Sequence, residues 1–528
     1  MGILAQQAQR IGLGRSRKSA TGKDVDYEVI VVGAGFSGIG AGIALKKAGI
    51  NSFVILEKAH DLGGTWRDNT YPGIAVDITS LTYSFSFEQN PRWSRLFAPG
   101  AELQAYANHC TDKYKLRSHM RFNTTVKRAV FDQKKHRWHM ELEDGNSLSA
   151  RFVINATGGL TQPKKPDIKG IDSFEGKMVH TARWDHSYDL RGKRVAVIGT
   201  GATSVQLVPA IADKVEHMDV YQRTPIWLLS KPDYAMPDAL KTAFQYVPGA
   251  QTGVRLLTTA ATEVVMVLGV VYNKQVPGLV KAGERACLRN LEKQVPNDPE
   301  LRRKLTPSYG FGCKRPSFSN EYFKTFTRED VDLVTEPIRE ITKDAIITAD
   351  GQERKIDTLI LATGFKVFEK GNLPPYEIYG VGGTELGKFW EDNRFQAYEG
   401  ATVPKFPNYF AVLGPYSTSG ASWFAMVECQ TRHALRCIKE ARRRQATYVE
   451  VKQKPHDDYF KEIQRRQQNT VFFNNNCGAA NSYYFDQHGD APFLRPSSGF
   501  EMWLHSHTFP LGHYRFKKPG WLPAQAQA

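Results

Sequence analysis

Two short runs in this chain carry residues whose types and spacing suit phosphate binding. Gly33-x-Gly35-x-x-Gly38 follows the apolar stretch Val29 to Val32, and Gly199-x-Gly201-x-x-Ser204 follows a second apolar stretch beginning at Arg194. The first glycine permits a tight turn, and the second lets a pyrophosphate reach the backbone. The third position, Gly38 or the small Ser204, lets a helix close on its strand. Glu57 stands 24 residues after Gly33, and Arg223 stands 24 residues after Gly199. A carboxylate there accepts hydrogen bonds from ribose hydroxyls, whereas a guanidinium suits a 2′-phosphate. The first loop therefore reads as a site for the ADP half of FAD or NAD, and the second as a site for NADP. Two such sites in one chain imply electron transfer between a nicotinamide and a flavin.

These loops need strands before them and helices after them, which predicts an α/β chain with two Rossmann-like dinucleotide-binding domains. The second unit lies between "FVINATGG" (152–159) and "DTLILATGF" (357–365), two apolar strands that each run into Ala-Thr-Gly. The expected order is a flexible basic tail (1–26), a first FAD-binding part (27–160) and a first NADP-binding part (161–235). A helical cap (236–305), a second NADP-binding part (306–356) and a second FAD-binding part with C-terminal loops (357–528) follow.

The chain has 528 residues, 70 Lys and Arg against 54 Asp and Glu, and a formal net charge of +16. That excess attracts anionic ligands such as dinucleotide phosphates. No nucleic-acid recognition module is present in the sequence, so nucleic acid is not expected as a partner. The densest basic run, Arg442 to Arg444, follows an amphipathic segment and is expected on a solvated helix face. Six cysteines show no C-x-x-C pair and no metal-ligand spacing. Reduced thiols, no metal and a cytoplasmic location are expected. "VRLLTTAATEVVMVLGVVY" (254–272) has the length of a membrane span but contains Arg255 and Glu263. A buried helix, or one lining an apolar pocket, is favoured over membrane-surface docking, and a true span is not expected. Oligomeric state is open.

Between the loops lies "FEGKMVHTARWD" (174–185), with Phe174, Gly176, His180, Trp184 and Asp185 at the spacing FxGxxxHxxxW[P/D]. This is the fingerprint of type I Baeyer–Villiger monooxygenases, which the chain resembles from about residue 27 to 510. "GGTW" (63–66), "YPG" (71–73) and "GCKRP" (312–316) resemble the same family. The resemblance implies FAD, NADPH and O2, and insertion of one oxygen beside a carbonyl through a flavin C4a-peroxide. Substrates would be ketones or other hydrophobic small molecules, with sulfides as a further option. It also implies that Arg315 stabilises the developing negative charge and that Asp77 orients it. Lys314, Arg223 and Thr224 would hold the NADP 2′-phosphate. Lys58, Thr65, Trp66, Tyr83 and Val126 would line the flavin site, and Gly414 and Ser417 would approach its ring. Tyr483 in "NSYYF" stands where the family often has tryptophan, and would contact the NADP ribose. His180 is expected to link the domains rather than move protons, with Phe174 and Trp184 as packing anchors. Around Phe500, Trp503 and Phe509, core packing is favoured over a substrate entrance.

Three alternatives share some of these features. An N- or S-hydroxylating flavin monooxygenase lacks the Trp-Asp ending of the fingerprint. A disulfide reductase needs a redox-active cysteine pair beside its flavin. A membrane-docked flavoprotein without activity would bind FAD yet not oxidise NADPH.

Overall fold

The computed structural model describes residues 24–368, 372–420 and 422–522. The β-branched run Tyr27–Val32 forms the strand before the first loop, and Val29, Ile30 and Val31 are fully buried. It pairs in parallel with Phe53–Leu56 on one side and with Ser147–Asn155 on the other. An antiparallel meander through Arg137–Leu142 and Val126–Asp132 extends this sheet, and Tyr409–Ala411 adds in parallel beside Val153 to Asn155. Continuous apolar strands of this kind need cover on both faces. The helices Phe36–Lys47 and Trp423–Arg444 supply cover, with Ile39, Ile43, Phe424 and Val427 in one core. Each such residue contributes about 1.5–3 kcal/mol on burial.

The second sheet has five parallel strands in the order Val331–Val334, His217–Tyr221, Arg194–Ile198, Thr358–Leu361 and Lys177–His180. Thr358–Leu361 sits between the strand of the second loop and the fingerprint strand. This corrects the boundary expected at 357, because that strand closes the second sheet instead of joining the first. Apolar parallel strands ending in Ala-Thr-Gly read alike in either sheet.

Helices Asp238–Tyr246, Ala250–Met266, Pro277–Gln294 and Pro299–Leu305 make up the segment expected to be helical. The expectation that 254–272 is buried fails: Leu257 is 74% and Val265 60% exposed. The basic tail expected over 1–26 lies outside the described residues up to 23. Asp26 already belongs to the body, since its carboxylate accepts from the backbone N–H and hydroxyl of Ser149. The basic run lies exposed, with Arg442 paired with Glu28 and Arg443 and Arg444 with Glu440.

Cys110, Cys287, Cys429 and Cys437 are free and buried. Cys313 and Cys477 form a disulfide across 164 residues, which corrects the expectation of six reduced thiols. The fold lays the turn at 310–316 against the segment 475–480, where Gly310 N–H donates to Asn476 and Asn475 donates to Phe311. Spacing along the chain carries no sign of that contact.

Candidate functional site

The first loop begins with Gly33 at φ +104°, a conformation that favours glycine. A Cβ on Gly38 would lie 1.8 Å from the Gly33 carbonyl oxygen, so only glycine lets this helix start so close to its strand. At the end of the second strand, Glu57 accepts from Ala34 N–H at 2.9 Å and pairs with Arg67 at 3.2 Å. The loop faces a cavity of about 720 Å3. Gly33, Gly35, Glu57, Lys58, Thr65, Trp66, Asp77, Tyr83, Val126, Arg315 and Tyr483 all line it. Trp66 is the second residue of a short helix, Thr65–Asp68, and its indole N–H donates to the Tyr83 hydroxyl at 3.1 Å. Burial raises the Tyr83 pKa and keeps the phenol protonated.

Arg315 and Asp77 meet across the cavity in a forked pair, Nε to Oδ2 at 2.8 Å and Nη2 to Oδ1 at 2.9 Å. Two parallel charge-assisted bonds fix the plane of the guanidinium. Arg315 is held on one side by the Cys313 disulfide and on the other by Ser317–Phe318, which pairs with Leu228–Leu229. Asp77 follows a turn anchored by Val76 N–H to Ala98 and by the bridge between Ala75 and Pro99. The Asp77 charge raises the Arg315 pKa further, against an opposing effect of burial. Arg315 is 43% exposed because it faces the cavity. An accessible pair of this kind adds about 0–1 kcal/mol to stability. Its geometry therefore bears on what enters the cavity more than on folding.

The second loop opens on the same cavity through Ala202, Thr203 and Gln206. Gly199, Gly201, Ser204, Arg223, Thr224 and Lys314 lie off that lining. Gly199 (φ +112°) makes the same turn as Gly33, whereas a Cβ on Gly201 would meet nothing within 4 Å, which leaves room for a ligand against the backbone. Beyond it, burial and the neighbouring Arg223 charge push the Lys314 ammonium down to about 8. Among the described residues neither Lys314 nor Arg223 has a carboxylate partner. Two close cations without an anion fit a phosphate dianion. Elsewhere, His217, Asp219 and Asp332 converge, but the Arg354 guanidinium already bridges both carboxylates at 2.6 and 2.8 Å.

The fingerprint residues are outside the cavity. A Cβ on Gly176 would strike the Phe174 ring at 2.4 Å and the Asp357 carbonyl at 2.6 Å, so glycine lets the buried Phe174 fold over the strand. His180 ends the edge strand Lys177–His180, and its Nδ1 accepts from Ala182 N–H. Burial lowers its pKa, which favours the neutral ring. Trp184 packs on the second core, and Asp185, lowered to about 2 chiefly by its bond to Lys177, fixes the turn that follows. From this turn Arg183 reaches Asp68 at 3.6 Å and His186 reaches Thr70 at 2.8 Å. The fingerprint thus ties the second sheet to the first-loop unit.

Two residues escaped the sequence reading. Gln206 accepts from Tyr71 and donates to the Ala75 carbonyl, bracing the turn that leads to Asp77. It is the one side-chain amide on the helix Ala202–Ile211, which was an available signal. Asn481, in the quoted "NSYYF", donates to the Thr224 hydroxyl at 3.1 Å. The expected approach of Gly414 and Ser417 fails. Gly414 abuts the Gly400 carbonyl and Ser417 is fully buried, while Leu413, Thr418, Ser419 and Gly420 face the cavity. Phe509 is buried and stacked on His433, as core packing requires, but Phe500 and Trp503 are exposed and line no part of the cavity. Neither Cys313 nor Cys477 faces the cavity, so the disulfide is no partner for a flavin.

Two glycine loops meeting at one cavity, one ending in a carboxylate and the other in a cation pair, define a two-dinucleotide flavoprotein oxidoreductase. A family model described as pyridine nucleotide-disulphide oxidoreductase matches residues 30–266. A Pseudomonas aeruginosa protein named Baeyer-Villiger monooxygenase is 39% identical over 458 residues, covering 87% of this chain and 85% of that relative. A Streptomyces coelicolor protein of the same name is 36% identical over 95% of this chain and 94% of its own length. The crystal structure of OTEMO in complex with FAD and NADP superposes with a TM-score of 0.81 at 28% identity, covering 94% of this chain and 100% of that one. Cyclohexanone monooxygenase from Rhodococcus sp. Phi1 bound to NADP+ gives 0.80 at 26% identity, over 93% and 99%. The chain belongs to the Baeyer–Villiger monooxygenase family, and it is an FAD- and NADPH-dependent monooxygenase.

Proposed function

We propose that this enzyme converts an apolar ketone to an ester or lactone, with sulfides as secondary substrates. The observation that carries the reading is the forked Arg315–Asp77 pair at the place where both loops meet. The balance is ketone, O2, NADPH and a proton to ester, water and NADP+. Bound FAD, reduced by NADPH, supplies the activated oxygen.

The chain's own residues do the rest. The loop Gly33–Gly38 and Glu57 seat the ADP half of FAD, and Lys58, Thr65, Trp66, Tyr83 and Val126 shape the wall around the remainder. Gly199, Gly201 and Ser204 seat the NADPH pyrophosphate, with Arg223, Thr224 and Lys314 on its 2′-phosphate. Asn481 holds Thr224 in place. Tyr483, among the aromatic rings of Tyr484 and Phe493, closes the cavity near the nicotinamide side. Arg315 donates to the carbonyl oxygen as negative charge grows there, a donor that cannot lose its proton. Asp77 fixes the direction of that donor. The functional domains then follow the two sheets, with Thr358–Leu361 counted in the NADP-binding unit, and the enzyme works in the cytoplasm.

The test is product analysis with isotopically labelled O2 and a panel of cyclic, linear and aryl ketones. One labelled oxygen should enter the ester for each NADPH consumed. NADPH consumption that yields only hydrogen peroxide across the whole panel would refute the reading.

A further inference from the structure

The helix Ala250–Met266, prolonged by the π-helical turn Val267–Val271, has the polarity of a surface helix reversed. Its charges point inward. Arg255 donates to the Leu81 and Ser84 carbonyls and the Ser84 hydroxyl at 2.8–2.9 Å, and Glu263 accepts from Gly499 N–H. Its apolar side chains point outward: Leu256, Leu257, Val264, Val265 and Leu268 are all exposed. Positions 257, 264 and 268 fall on one stripe of a 3.6-residue helix, with 256 and 265 flanking it on either side. Single exposed leucines are ordinary in soluble proteins, but a stripe of five is not. The helix Gly499–Thr508, which Glu263 holds at its first residue, adds exposed Phe500 and Trp503.

Charge identifies the occupant. Lys274, Lys281, Arg285 and Arg289 follow directly, all exposed and none in an ion pair among the described residues. Leu279, near the start of the helix that carries Lys281, Arg285 and Arg289, lies close to Gly269 at the end of the stripe, so that helix starts beside the apolar face. An apolar face bordered by free cations is suited to an anionic lipid surface. A second copy of the chain would instead bring the same cations to the border of the contact. The helix is long enough to cross a bilayer, at about 1.5 Å per residue. Crossing, however, would strip Arg255 and Glu263 of their partners inside hydrocarbon. Lying in the plane of the interface keeps every one of those bonds.

The same helix borders the cavity, since the Met266 side chain packs on Gly420, one of the lining residues. We infer that the stripe Leu256–Leu268, with Phe500 and Trp503, docks the enzyme in plane on an anionic bilayer and sets the cavity wall at Gly420 beside the lipid. That this admits apolar ketones from the membrane rests on the function proposed above; the docking itself does not.

The test is flotation of the full-length, FAD-loaded protein with vesicles of phosphatidylcholine, with and without phosphatidylglycerol. The wild type should float with anionic vesicles, and Leu257→Asp with Val265→Asp should bind at least about ten-fold less. Lys281→Glu with Arg285→Glu should weaken anionic binding and leave the smaller binding to neutral vesicles unchanged. Should the aspartate variants fail to fold, quenching by brominated lipid provides a separate reading, lost in Trp503→Phe. A wild-type protein that stays with the soluble fraction overturns the inference. So does a wild-type mass of two chains by light scattering that falls to one in the aspartate variant without any flotation. Flotation of an enzyme that oxygenates no ketone would uphold docking and remove only the proposed substrate class.

Discussion

The two glycine loops share one backbone device and differ at its far end. Gly33 and Gly199 take the same left-handed turn, with φ of +104° and +112°. Beyond them Glu57 is already engaged by Ala34 and Arg67, while Arg223 and Lys314 repel each other with no carboxylate between them among the described residues. One site is neutralised within the protein and the other awaits an anion. On the function proposed above, the scaffold fixes where a pyrophosphate goes, and one or two residues at the strand end choose which dinucleotide brings it.

The comparison breaks most severely at the third glycine. Gly38→Ala should give protein without flavin absorbance after purification, since its methyl group meets the Gly33 carbonyl, whereas Ser204→Gly should keep both FAD and NADPH binding. Next comes the pair between the loops. Arg315→Ala should lower ketone turnover by about 10²–10³-fold, as removal of an oxyanion donor does, with NADPH oxidation retained in stopped-flow reduction. Removing the cation pair is gentler: Arg223→Ala with Lys314→Ala should raise KM for NADPH roughly ten- to hundred-fold, while KM for NADH hardly moves. Smallest is the pH effect. Lys314 is depressed to about 8, so it is charged below that pH and must take up a proton to bind phosphate above it. KM for NADPH should climb up to about ten-fold from pH 7 to 9, and Lys314→Arg should flatten the profile.

Both loops, the acid and the arginine at their ends, and the fingerprint are local patterns, and each was legible in the sequence. The Arg315–Asp77 pair came from resemblance alone, since 238 residues separate its members. What could not be read depends on distant contacts or on facing. Gln206 braces a turn 131 residues away, and Cys313 meets Cys477 only because two loops cross. Hydropathy showed that 254–272 is apolar but not which way it points. Arg255 and Glu263 argued against a membrane span and for a buried helix, and the fold turns both inward while leaving the apolar side chains outside.

The Cys313–Cys477 bond has a consequence for motion. It precedes Lys314 and Arg315 on one strand of chain, and on the other it lies just ahead of Asn481 and Tyr483. A covalent tie there makes the two loops one lever. On the function proposed above, a displacement that frees the nicotinamide nucleotide would also carry Arg315, so cofactor release and the readiness of the oxygenating centre would be coupled while the bond is closed.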